Sequence, residues 1–214
     1  MEYLIGAATY LDTIGAGELA SQVRGYAGPQ DLDAEWQRQT DRAIELGYWK
    51  EGYDDPEIYR NSIPKFAQPV DKRLPFPLSI DPRISSSRKL ELAGIKPYIN
   101  VGEIKDEITA PDLPYTVYTI PPTLFRGYYS EALKQIPDYA VGAPASEVFE
   151  AYLKLYSKFP QFFNPWADSG NSLAGAGYVP YLHVWRGGPE VVARRADSPL
   201  RDWRVLFRGN EIGT

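Results

Sequence analysis

The stretches Val179-Pro180-Tyr181-Leu182-His183-Val184-Trp185, Glu190-Val191-Val192-Ala193-Arg194-Arg195 and Asp202-Trp203-Arg204-Val205-Leu206-Phe207-Arg208 close the chain with β-branched and aromatic residues. They are separated by Gly187-Gly188-Pro189 and Asp197-Ser198-Pro199, residues that favour chain reversal. The pattern predicts a three-stranded antiparallel meander. In its last strand Trp203, Val205 and Phe207 alternate onto one face, and Arg204 and Arg208 share the other with Leu206. The aromatic face is expected to be buried and the arginine face to meet water or a ligand. Upstream, Glu147 to Phe159 reads as the strongest helix of the chain, with Val148, Phe149, Tyr152, Leu153, Leu155, Tyr156 and Phe159 forming a wide apolar stripe. Pro144 suits its first turn and Pro160 ends it. A stripe that wide needs a cover, and the meander is the expected one. The fold class that follows is α+β: a helical N-terminal part and a mixed or antiparallel sheet closed by the C-terminal meander.

Working outward, Thr13 to Gly25 reads as a short helix, and Asp31 opens a better one, with Leu32, Trp36, Ala43 and Ile44 near helical spacing and Gly47 at the C-terminal glycine position. Asp55-Pro56-Glu57 starts a further turn, with Asp55 as cap and Pro56 at the first position. Residues 61–84 carry Pro64, Pro69, Pro75, Pro77 and Pro82, which predict an irregular connection. Ser85-Ser86-Ser87 offers caps for a brief helix stopped by Gly94, and Pro97 to Val101 reads as a strand. Tyr115 to Ile120 is the clearest strand of the middle region, expected to end at Pro121-Pro122. We expect one domain over residues 1–214, with an acidic helical subregion at 1–62 and a sheet-containing core at 63–214.

The composition narrows the class. Of 214 residues, 43% are hydrophobic and 14% aromatic, which excludes a disordered chain. With no cysteine and a single histidine, the chain cannot build disulfides, thiolate metal sites or a multi-histidine centre from its own residues. No cofactor is expected. No apolar run approaches the ~20 residues a bilayer crossing needs, and Glu2 in a start without basic residues predicts a cytoplasmic protein. The net charge of -5 argues against a nucleic-acid partner, which wants a basic footprint. Charge is unevenly spread: residues 1–62 are strongly acidic, whereas every basic residue after 177 is an arginine, namely Arg186, Arg194, Arg195, Arg201, Arg204 and Arg208. Opposite charge in head and tail predicts attraction between them, within the fold or between subunits, so a homo-oligomer stays open.

Four landmarks appear in order: Arg38-Gln39-x-Asp41-x-x-x-Glu45-Leu46-Gly47-Tyr48, Asp112-Leu113-Pro114-Tyr115 leading into a strand, Phe159-Pro160 at a helix end, and Val179-Pro180-x-Leu182 running into Gly187-Gly188-x-Glu190. Together they resemble a bacterial family classed only as a domain of unknown function. The resemblance implies a bacterial α+β protein with no assigned activity, hence no catalytic residues to carry over. The family's tail carries cysteine and histidine that this tail lacks, which puts in doubt any thiol or metal role here.

Two residues are candidates for catalysis. His183 stands in a predicted strand on the face of Val179, Tyr181 and Trp185, either as a general base or as a hydrogen-bonded histidine of an aromatic sheet face. No G-x-S-x-G motif supplies it with a nucleophile. Asp168 follows Trp166 in a polar loop, either as a working acid beside a sugar-stacking surface or as an aspartate bonding its own turn. Glu103, Asp106 and Glu107, like Asp54, Asp55 and Glu57, lack the spacing of an EF-hand, and Gly170, Gly175 and Gly177 fit no phosphate-loop pattern. The 16 tyrosines and 5 tryptophans serve either an aromatic core or an interface.

Two functional readings follow. The first is a non-catalytic module that recognises a protein partner or small anionic ligand through Trp166, Tyr181, Trp185, Arg186, Arg204 and Arg208, the arginines pairing carboxylates or phosphates bidentately. The second is a hydrolase, glycan-acting in one version, with Asp168 as its acid.

Overall fold

The computed structural model describes residues 31–69, 71, 73–101, 104–106, 111–128, 130–131, 134, 136, 138–156, 172–174, 177–185, 188–198, 200–209 and 212–213, with the backbone alone for 105–106, 120–127, 156, 172–174, 183–185 and 200–205. Helix α1 (Leu32–Glu45) begins where Asp31 accepts a hydrogen bond from the Ala34 amide, and Gly47 takes the left-handed conformation (φ 87°) just beyond its end. A 3-10 turn (Tyr48–Lys50) follows. Helix α2 (Pro56–Ser62) has Asp55 accepting from the Glu57 and Ile58 amides, and α3 (Ser86–Leu92) is capped by Ser85. Thus three of the expected helices start at the residues whose side chains can satisfy free amides. The expected helix at Thr13 to Gly25 lies outside the described residues.

The fold is α+β, with α1 to α3 in its N-terminal part, a further helix after the middle of the chain, and three antiparallel or mixed groups of strands among the described residues. The first has the order β1-β4-β9-β5, comprising β1 (Phe76–Ile80), β4 (Tyr115–Gly127), β9 (Leu200–Arg208) and β5 (Val141–Gly142). The second has the order β2-β8-β7, comprising β2 (Lys96–Pro97), β8 (Gly188–Arg195) and β7 (Tyr178–Trp185); β3 (Ile104–Asp106) pairs with β6 (Ser172–Ala174). The C-terminal run of three strands is present. Its first two form a hairpin in continuous register from Tyr178↔Arg195 to Trp185↔Gly188. The third, β9, pairs antiparallel with β4 and β5 rather than with β8. Hydrophobic alternation specifies that a strand exists but carries no address for its neighbour.

Two proline readings need correction. Within 61–84, residues Phe76–Ile80 form a strand despite Pro77, because β1 is the outer strand of its sheet and proline is tolerated where no ladder donor is required. Strand β4 does not stop at Pro121-Pro122; it runs on to Gly127, with a register shift against β9 between Ile120 and Thr123. The shift falls at the two residues that cannot donate, where β4 carries one residue more than β9. The strand expected over Pro97 to Val101 is only the two-residue β2, parallel to Glu190 and Val191.

Helix α4 (Ala145–Ala151) continues into a π-helical turn (Tyr152–Tyr156) and occupies the centre of the molecule. It touches α3, β1, β3 and β7, and the π turn touches α1. Val148, Phe149, Ala151 and Leu153 join Leu78, Ile80, Val117, Leu182, Val191 and Leu206 in one core. A helix apolar on nearly every side is buried on every side, and its charged residues are buried with it.

Candidate functional site

Glu147, Glu150 and Lys154 ride on that central helix at spacings of three and four, so they project from one side of it. All three are fully buried. Glu150 binds two lysines, with Lys89 Nζ at 2.6 Å from Oε1 and Lys154 Nζ at 3.3 Å from Oε2. The Tyr48 hydroxyl donates to the same carboxylate at 3.4 Å. Burial alone would raise the Glu150 pKa, but the two ammonium groups outweigh it and hold the carboxyl below its ordinary range. Burial pushes Lys154 the other way, downward, and Tyr48 upward.

The network continues into the sheet edge. Lys154 Nζ donates to the Ser79 carbonyl at 2.7 Å and to the Ser79 hydroxyl at 3.1 Å. Gln39 of α1 donates to the Pro77 carbonyl at 2.7 Å and accepts from the Ser79 amide at 3.0 Å. Thus the outward edge of β1, otherwise a row of open backbone groups, is closed by two side chains instead of another strand. Arg38 and Arg42, also on α1, donate to the carbonyls of Lys154 (2.6 Å) and Leu153 (3.4 Å) in the π turn. The widened turn presents those carbonyls sideways, and guanidinium groups satisfy them.

Asp81 marks the rim of this network. Tyr53 donates to it at 2.7 Å, and Arg83 approaches at 3.0 Å with its guanidinium also stacked 4.6 Å from the Tyr53 ring. Burial raises the Asp81 pKa. Tyr59 stacks edge-on against both Tyr48 and Tyr53, and its buried hydroxyl has no hydrogen-bond partner among the described residues.

A second buried pair overturns one expectation outright. Arg208, expected on a wet face of the last strand, is 3% exposed, with Nε 2.9 Å from Glu147 Oε2 and Nη1 donating to the Gly209 carbonyl. Tyr115 donates to the other oxygen of Glu147 at 3.2 Å. Leu206, Phe207 and Arg208 are consecutive and all buried, so both faces of β9 are covered at this end. Strict alternation holds only for a sheet with one wet face.

The other candidates are distributed differently. Tyr181 is half-buried in β7 opposite Val192, and burial raises its pKa. His183 and Trp185 stand opposite Glu190 and Gly188, and Arg204 stands in β9 opposite Leu124. Trp166, Asp168 and Arg186 lie outside the described residues, and with them any meeting of Asp168 and His183. No group of three His, Asp or Glu side chains gathers as a metal would require among the described residues. No helix among them is long and apolar enough to cross a membrane.

At the open end of the hairpin, Gly177, Tyr178, Arg195, Ala196 and Asp197 line a shallow hollow of about 400 Å³. Arg195 holds Asp197 in a two-pronged grip, Nη2 to Oδ2 at 2.6 Å and Nε to Oδ1 at 3.0 Å. The adjacent Arg194 and Tyr178 are exposed. Compared with known proteins, the chain matches no family model, no curated protein and no solved structure. Its chemistry is therefore read from these side chains alone. The buried ions were not singled out in the sequence, where this segment was read for its apolar stripe alone. One signal was present: Glu147, Glu150 and Lys154 sit among so many apolar neighbours that no wet side remains.

Proposed function

We propose that the protein is a non-catalytic binding module that recognises an anionic group, on a protein partner or a small ligand, through the hairpin of β7 and β8. The surface differs from the one first expected: Arg194, Arg195 and Tyr178 replace Arg208, which is committed to Glu147. The observation that carries the reading is the grip of Arg195 on Asp197. Both side chains are largely exposed, at 63% and 65%, so the pair contributes little to folding and its guanidinium remains exchangeable. Asp197 occupies the fork as a carboxylate from outside would. An incoming carboxylate or phosphate displaces it beside the ring of Tyr178, while Arg194, one residue earlier in the strand and so on the opposite face, adds only to the positive field of the hairpin.

The test is isothermal titration of the full chain with an octaglutamate peptide and with sodium tripolyphosphate at low and physiological salt. We expect binding that weakens with salt and is lost in the double variant Arg194→Glu/Arg195→Glu. Binding that is absent in the wild type, or unchanged in the double variant, rejects this surface.

A further inference from the structure

The direction of the backbone groups in β8 goes one step beyond an anion grip. The Val191 carbonyl accepts the Tyr98 amide at 2.8 Å, so it faces β2. The Ala196 amide donates to the Gly177 carbonyl at 2.8 Å, so it faces the β7 side. In an extended strand the N–H and C=O of one residue point the same way and alternate between neighbours. Ala193 and Arg195 therefore face the same side as Val191, away from β7. Strand β2 covers only Glu190 and Val191. Beyond its end, the Ala193 N–H, the Ala193 carbonyl and the Arg195 N–H have no partner among the described residues; the Arg195 carbonyl is taken by the Ser198 amide at 3.1 Å.

We propose that this open edge of β8, at Ala193 to Arg195, receives an extended acidic peptide segment as an added strand. The proposal rests on the anion-binding reading above and names its partner class. Main-chain bonds to Ala193 and Arg195 supply a register, and the flanking side chains supply selectivity. Those side chains are cationic and aromatic: Lys96, Arg194 and Arg195 are exposed, Tyr98 is 60% exposed beside the end of β2, and Tyr178 is 43% exposed opposite Arg195. Of the nearby acids, Asp197 occupies Arg195 and is displaced by the incoming strand as in the grip above, and Glu190 is half-buried opposite His183, which leaves Lys96 and Arg194 to attract the acidic segment. A second copy of this chain is disfavoured at the edge, because pairing β8 with β8 sets arginines against arginines. Positive charges on an exposed edge block self-association in this way, yet they admit a strand of opposite sign.

The test uses fluorescence anisotropy of a labelled heptapeptide of alternating Glu and Val, against the same peptide N-methylated at alternate amides. Added-strand binding predicts that N-methylation in the bonding frame weakens affinity by at least about tenfold, and that Ala193→Pro does the same. Proline there removes a donor that faces away from β7, so the hairpin ladder is kept. If Ala193→Pro fails to fold, the N-methylated peptides against the wild type decide the matter. Equal affinity for the peptide and for its two N-methylated forms, one methylated at the odd amides and one at the even, overturns the added strand, while loss of binding in Arg194→Glu/Arg195→Glu would still uphold the anion grip. Failure of the peptide and tripolyphosphate alike to bind overturns both.

Discussion

Lys89 and Glu150 meet at 2.6 Å in the middle of the molecule, and Arg195 and Asp197 meet at 2.6 Å on the hairpin. The two ion pairs have the same length and opposite surroundings: the first is 2% and 0% exposed, the second 63% and 65%. Distance therefore does not decide what an ion pair does. In the interior, water cannot replace a lost partner, so each charge is obligatory once the others are present. On the hairpin, water and salt take over at once. The interior pairs hold the fold in one arrangement, and the surface pair is free to change partners.

The largest break in this contrast is expected from Glu150→Gln, which leaves Lys89 and Lys154 buried without their shared counter-charge. Urea unfolding at pH 7 should show a loss of about 3–5 kcal/mol. The same variant sharpens the comparison with pH. Because Glu150 is held below its ordinary value of 4.5, the unfolded chain takes up its proton first as acid is added. Its contribution is complete above 4.5 and lost as pH falls through the folded-state value, so the gap between wild type and Glu150→Gln narrows there. A gap that stays constant from pH 7 to pH 3 would mean that the lysines do not control this carboxyl.

Arg208→Met comes next, with an expected loss of about 2–3 kcal/mol. The loss is smaller because Tyr115 still donates to Glu147. Gln39→Leu should cost about 1–2 kcal/mol by opening the edge of β1 at Pro77 and Ser79. Hydrogen exchange of the Ser79 amide is the direct readout, and an unchanged rate would show that Gln39 does not close that edge. Smallest of all is Asp197→Asn, for which the urea midpoint should stay within experimental scatter. Affinity for octaglutamate should instead rise, since the internal competitor for Arg195 has lost its charge.

Legibility in the sequence followed locality. Asp31, Asp55 and Ser85 begin helices because a short polar side chain reaches amides two or three residues on, an interaction complete within one turn. The hairpin was readable because both partners and their turn lie within 18 residues, from Tyr178 to Arg195. By contrast β9 finds β4, whose residues lie roughly eighty positions earlier, as in Thr119↔Arg208. The prolines misled for the same reason: whether Pro77 or Pro121-Pro122 breaks a strand depends on whether the missing donor faced a neighbour. At the candidate site, the aromatic and arginine character of the tail was apparent. Which arginine is free was not, because Arg194 and Arg208 are equally polar in one dimension and differ only in what covers them.

By itself the sequence determined where helices start, which segments are extended and that the tail carries cations beside aromatic rings, since each follows from contacts a few residues long. Only the tertiary structure decided that Glu147, Glu150 and Lys154 are buried with Lys89 and Arg208, and that Arg195 stays in water. Burial is a property of everything packed around a residue, and the free energy of a charge depends more on that surrounding medium than on the charge itself.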